Sequence, residues 1–126
     1  MMSFKEKPRD IKERTFAFAL EIVNHAKLLD FKKEPLRTLG RQLLRSGTSI
    51  GANVEEAQAG QSRADFISKY AIALKETRET LYWLKLLKEA DLLPNKDWDF
   101  LIQEADEIAR ILGAIIVNAK NYRGSR

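Results

Sequence analysis

The chain has 126 residues, 44% apolar and 32% charged, with 22 basic against 18 acidic side chains and a formal charge of +4. That describes one helix-rich domain with a modest core, too short for two ordinary domains and too apolar for a disordered tail. With no cysteine, disulfide frameworks, thiolate metal sites and cysteine nucleophiles are excluded.

Residues 1–14 are charged and lack the apolar heart of a signal peptide. The first predicted helix starts at Asp10, where Asp10 and Glu13 have capping-box spacing, and runs to about Leu29. Its apolar stripe is Ile11, Phe18, Ile22 and Leu29, widened by Phe16, Leu20 and Val23. A basic link with Lys32 and Lys33 leads to Pro35, which suits a first helical turn.

The second predicted helix spans about Leu36 to Ala59. A seven-residue repeat aligns Leu36, Leu43, Ile50 and Ala57, beside Leu39, Ser46 and Asn53. Gly40, Gly47 and Gly51 interrupt it, each costing about 1 kcal/mol relative to alanine in a helix interior. They therefore predict close backbone approach, or a break near Gly47. Gly60, Gln61 and Ser62 end this helix, and Ser62 caps the next, with Asp65 three residues on.

The third predicted helix runs to about Ala90, with Ile67, Leu74 and Leu81 beside Tyr70, Thr77 and Leu84. A turn from Leu92 to Asn95 follows, and Asn95 is read as the cap of a fourth helix reaching about Lys120. The most apolar run, residues 108–120, is interrupted by Arg110 and is shorter than the ~20 residues a membrane span requires. Four helices with short loops predict an all-α, antiparallel up-down-up-down four-helix bundle. It occupies residues 1–126 as one domain with short flexible tails, cytoplasmic and without a membrane partner.

Three features go beyond a minimal bundle. Tyr82 and Trp83 lie between the core positions Leu81 and Leu84, and four successive residues cannot all point inward. With Ile111, Ile115 and Ile116 on an unusually apolar fourth helix, they predict a homo-oligomer interface; an irregular bundle burying them itself is the simpler reading. Ser46, Ser49, Asn53, Glu56 and Thr77 fall on or beside inward lines and predict a buried polar network that sets helix register. Arg37, Arg41 and Arg45 recur every four residues, and Lys69, Lys75 and Arg78 come from the neighbouring helix; such a ridge suits the phosphates of RNA or DNA. Equally it could be a solvated face neutralised in part by Glu34, Glu55 and Glu76.

Catalytic chemistry finds little support. His25 is the single histidine, so paired metal ligands and a Glu-x-x-His site are lacking. Ser46, Thr48 and Ser49 have no histidine at a suitable spacing, and Gly47 to Asn53 lacks the Gly-Lys-Ser/Thr ending of a phosphate loop. No catalytic residue, cofactor or metal is expected.

One stretch carries a resemblance. Arg41-Gln42-Leu43-x-Arg45, Ser49-Ile50-x-x-Asn53-Val54-x-Glu56-Ala57, Phe66-x-x-x-Tyr70-Ala71-x-Ala73-x-Lys75-Glu76 and Glu79-Thr80-x-Tyr82-Trp83-Leu84 occur in order. The chain thereby resembles the four-helix-bundle proteins encoded in intervening sequences of 23S ribosomal RNA genes. It departs from them in carrying Ala57 after Glu56, with Gly60 later, which leaves the end of the second helix open. The resemblance implies an up-down bundle, often a pentamer, without established catalysis. A similar family includes the basic accessory protein of diversity-generating retroelements, which implies RNA, DNA or a protein as possible partners. The reading is thus a non-enzymatic oligomeric bundle that binds nucleic acid on the arginine ridge, with a protein-interaction scaffold as the alternative.

Overall fold

The structure, a computed structural model, describes residues 10–60, 62–94 and 96–122. Among them are four helices: α1 (Ile11–Ala26), α2 (Leu36–Gln58), α3 (Arg63–Glu89) and α4 (Trp98–Asn121). Short polar side chains start three of them by accepting an otherwise unpaired backbone N–H. Asp10 takes Lys12 N at 2.9 Å, Ser62 takes Asp65 N at 3.1 Å, and Asp97 takes Phe100 N at 3.1 Å. For α2, Glu34 accepts from Thr38 N at 3.1 Å. The cap of α4 is therefore Asp97; Asn95, the residue expected there, lies outside the described residues, as does Gln61. Helix α1 stops at Ala26, before the expected Leu29, because Leu28 N and Leu29 N turn back to His25 O and Ala26 O in tight i to i+3 bonds.

Cross-helix pairs run in opposite senses along each seam. Ser46 meets Thr80 while Glu56 meets Lys69, and Lys88 meets Asp99 while Arg63 meets Tyr122. On the α1–α4 seam Arg14 meets Glu104 and His25 meets Trp98, and on the α1–α2 seam Thr15 lies against Gly51 and Ile22 against Gly47. The result is the expected antiparallel bundle, with α1 and α4 touching least. Its core joins Phe18 and Ile22 to Leu43, Ile50, Tyr70, Leu84, Leu101, Ile108 and Leu112, all essentially inaccessible.

The glycines of α2 serve close approach, and the helix passes through them unbroken. A Cβ built on Gly47 would stand 2.9 Å from Ile22 Cγ1, and one on Gly51 would stand 3.3 Å from the Thr15 carbonyl oxygen. Helix α1 thus lies directly on the glycine face of α2.

Candidate functional site

The inward polar line of α2 resolves into one cross-helix bridge. Ser46 Oγ and Thr80 Oγ1, both fully buried, hydrogen-bond at 2.9 Å. Thr77 is also buried but satisfies itself on Ala73 O at 2.7 Å. Ser49 turns back to Arg45 O at 2.6 Å, and Asn53 to Ser49 O at 2.9 Å. Glu56 is exposed and pairs with Lys69 at 2.9 Å, so it joins no buried network. Short hydroxyl and amide side chains reach their own preceding turn more readily than a neighbouring helix. That is why the expected network shrinks to Ser46 with Thr80, a residue outside the inward line read from the sequence.

A larger buried polar device lies on the thin seam. Arg14 donates through Nε to Glu104 Oε2 at 2.7 Å and through Nη2 to Glu104 Oε1 at 2.8 Å, and Nη2 also meets Glu107 Oε1 at 2.5 Å. The Glu104 bonds hold the guanidinium more firmly protonated than usual. Sequence reasoning missed this cluster, because residues 90 positions apart have no periodic relation.

The expected cationic ridge does not form one surface. Arg37 is held by Glu34 at 3.2 Å, Lys69 by Glu56, and Arg45 by Glu76 at 3.2 Å and by Glu79. Arg41, Lys75 and Arg78 have no such partner among the described residues. At about 100° per residue, Arg78 lies roughly 160° round α3 from Glu76, the residue that faces Arg45. Arg78 and the α2 arginines therefore belong to different flanks. Glu55, the other acid considered, pairs with Lys12 at 3.5 Å.

The apolar surplus is also redistributed. Ile116 is buried in the core, and Ile111, Ile115 and Trp83 are half-buried. The Trp83 indole donates to Glu79 Oε2 at 3.2 Å, tying it to its own helix. Tyr82 does face outward, at 60% exposure. The most exposed apolar groups elsewhere are Phe16 at 65% and Val117 at 55%, with Leu20 and Val23 on the same line as Phe16. The α1 residues, read from sequence as a widening of the core stripe, lie on its opposite side.

His25 is buried, its Nδ1 2.8 Å from Glu21 O, and its Nε2 has no hydrogen-bond partner among the described residues. Its ring meets Trp98 edge-on at 4.8 Å. Among the described residues no three His, Asp or Glu side chains are grouped to hold a metal, and no helix is long and apolar enough to cross a membrane.

A family model described as 23S rRNA-intervening sequence protein matches residues 7–114. The chain belongs to that family. It is also similar to a crystal structure of a protein of unknown function from the S23 ribosomal protein family of Bacteroides thetaiotaomicron, at 43% identity and a TM-score of 0.76. That match covers 85% of this chain and 98% of the other. No curated protein matches. The fold and the family thus agree with the resemblance carried by residues 41–84.

Proposed function

We infer that this member of the 23S rRNA-intervening sequence family is a non-catalytic, self-associating bundle subunit. The observation that carries the reading is the line Phe16, Leu20 and Val23 on the side of α1 opposite its core face. These residues are 65%, 38% and 37% exposed. Fully burying an exposed side chain of this size contributes roughly 1.5–3 kcal/mol, so covering what these three still expose would supply about 2–4 kcal/mol. The occupant we assign is a second copy of the chain. A different apolar and sterically open face, Val117 with Gly113 and Ala114 on α4, is available to receive it. Contact between two unlike faces is head-to-tail and closes into a ring when the rotation permits, of which the pentamer implied by the resemblance is one form.

Native mass by light scattering tests this. The parent chain should run as an oligomer, and Phe16→Glu with Leu20→Glu should reduce it to a monomer of unchanged helicity. A monomeric parent overturns the reading.

A second reading, RNA or DNA on the α2 ridge, is supported by Arg41, which has no ion-pair partner among the described residues, and by the exposure of the Arg37–Glu34 pair. Such surface pairs are worth only about 0–1 kcal/mol, so a phosphate can replace the carboxylate. Reversing the charge of Arg41 and Arg45 should then abolish binding.

A further inference from the structure

We propose that the outward flank of α3, through Lys75, Arg78, Tyr82 and Lys85, is a binding surface for single-stranded nucleic acid. The proposal is independent of the α2 ridge and of self-association.

These residues follow one another at spacings of three, four and three, which places them on one line along a helix. All four are exposed, and none of the three cations has an ion-pair or hydrogen-bond partner among the described residues. That sets them apart from Arg37, Arg45 and Lys69, which are ion-paired to acids of the same chain; Lys75 acts on Glu79 only at longer range, and Glu79 is already held by Arg45. By helical geometry Lys85 lies about half a turn round the axis from Glu76, so the line looks away from α2. From Lys75 to Lys85 it extends about 15 Å, or roughly four phosphate spacings of a stacked strand.

Tyr82 supplies the element that a merely solvated charge run lacks. Its ring is 60% exposed and meets Trp83 at 75°, so the two rings do not stack on each other. Trp83 is itself anchored through Nε1 to Glu79, and Glu79 is held by Arg45. This chain of contacts fixes the platform on which the Tyr82 ring rests, and it neutralises the nearest acid. Glu76 is likewise occupied by Arg45, and on α4 Asp106 is taken by Arg110 at 3.0 Å. Glu89, four residues past Lys85, marks the acidic end of the line. Cations that track phosphates, with one rigid aromatic face between them, are what unpaired bases on a flexible strand require. A convex helix flank presents no groove for reading duplex base edges, which favours the single strand. An acidic protein segment would use the cations but would leave the ring without its partner.

The test uses the full chain and fluorescently labelled oligo-U and oligo-A RNA of about 12 nucleotides, with the matching DNA strands. Fluorescence anisotropy is read from about 50 to 200 mM salt. Removing the cations together (Lys75→Gln, Arg78→Gln, Lys85→Gln) should lower the slope of log affinity against log salt by about 2. Tyr82→Leu should weaken binding about five- to one-hundredfold with little change in slope. Arg37→Gln with Arg41→Gln should leave affinity within about twofold of the parent if α3 is the site. Equal affinity for RNA and DNA assigns recognition to phosphate and base face, and an RNA preference adds a 2′-hydroxyl contact; either supports the proposal. It is overturned if no strand binds at the lowest salt, or if binding is lost only in the α2 variant. Equally effective competition by poly-glutamate, or a lower native mass for Tyr82→Leu, also overturns it, the first indicating a protein partner and the second an interface between copies. Helicity measured on every variant separates lost binding from lost folding.

Discussion

Arg14 of α1 and Glu104 of α4 grip each other through two parallel hydrogen bonds, with Glu104 1% and Arg14 9% exposed. They do so on the seam where two neighbouring helices touch least. A fork-to-fork pair fixes both distance and rotation, which a few aliphatic contacts do not. Removing one partner leaves a buried charge, so Glu104→Gln should lower unfolding stability by about 3 kcal/mol, Glu107 limiting the loss. Replacing both as Arg14→Met with Glu104→Leu should come within about 1 kcal/mol of the parent. Urea midpoints of the single and double variants check this, and equal losses in both would refute it.

Two glycines should respond oppositely to alanine. At Gly47 the new methyl meets three Ile22 carbons between 2.9 and 3.2 Å, so Gly47→Ala should cost about 1–3 kcal/mol despite its better helix propensity. Trimming the neighbour with Ile22→Val should recover part of that cost. At Gly113 nothing lies within 4 Å of a Cβ among the described residues, and Gly113→Ala, made in the Phe16→Glu, Leu20→Glu background to remove contact between copies, should add about 1 kcal/mol. Thermal midpoints at a fixed chain concentration read both signs.

His25 is a packing group whose Nε2 has no hydrogen-bond partner among the described residues. His25→Phe preserves the edge-on contact with Trp98 and removes the orphan, and should leave stability unchanged or raise it by about 1 kcal/mol. His25→Ala should lower it by about 2 kcal/mol or more, because it opens a cavity. A loss in the Phe variant as large as in the Ala variant would assign the imidazole a polar role.

Burial works against the Glu79 carboxylate, but the Trp83 indole and then Arg45 outweigh it and hold the group below the ordinary carboxylate range. A group depressed in the folded state stabilises fully above its unfolded pKa of about 4.3, and that contribution is lost as pH falls through the folded value. The stability gap between the parent and Glu79→Gln should therefore be constant above about pH 5 and close below about pH 4. Urea midpoints across this range would show it, and a gap that persists in acid would count against the contact.

The four helices, their order and most of their boundaries were legible because helix formation, capping and apolar period act within a few residues. Asp10 and Ser62 cap where their spacing said they would. Asp97 was passed over for Asn95 because both are good cap residues two positions apart, and only the path of the turn selects between them. The glycines announced close approach, yet which helix approached was not in the pattern; Ile22 and Thr15 answer that.

Surface roles were harder to read. The period of a helix says which residues share a face, but not whether a neighbour covers it or supplies a counter-charge. Phe16, Leu20 and Val23 read as a wide core stripe until α2 and α4 were seen to take the other side of α1. Arg37 and Arg45 read as a ridge of free charge until Glu34, Glu76 and Glu79 were found against them.

By itself, then, the sequence determined the bundle, its helices and its family, since those depend on local geometry and on a motif that stays in register. Tertiary structure alone decided the Arg14–Glu104 clasp, the Ser46–Thr80 bridge and which cations near Tyr82 lack an ion-pair partner among the described residues. Each depends on residues that meet only after distant helices pack, and no short-range pattern encodes such a meeting.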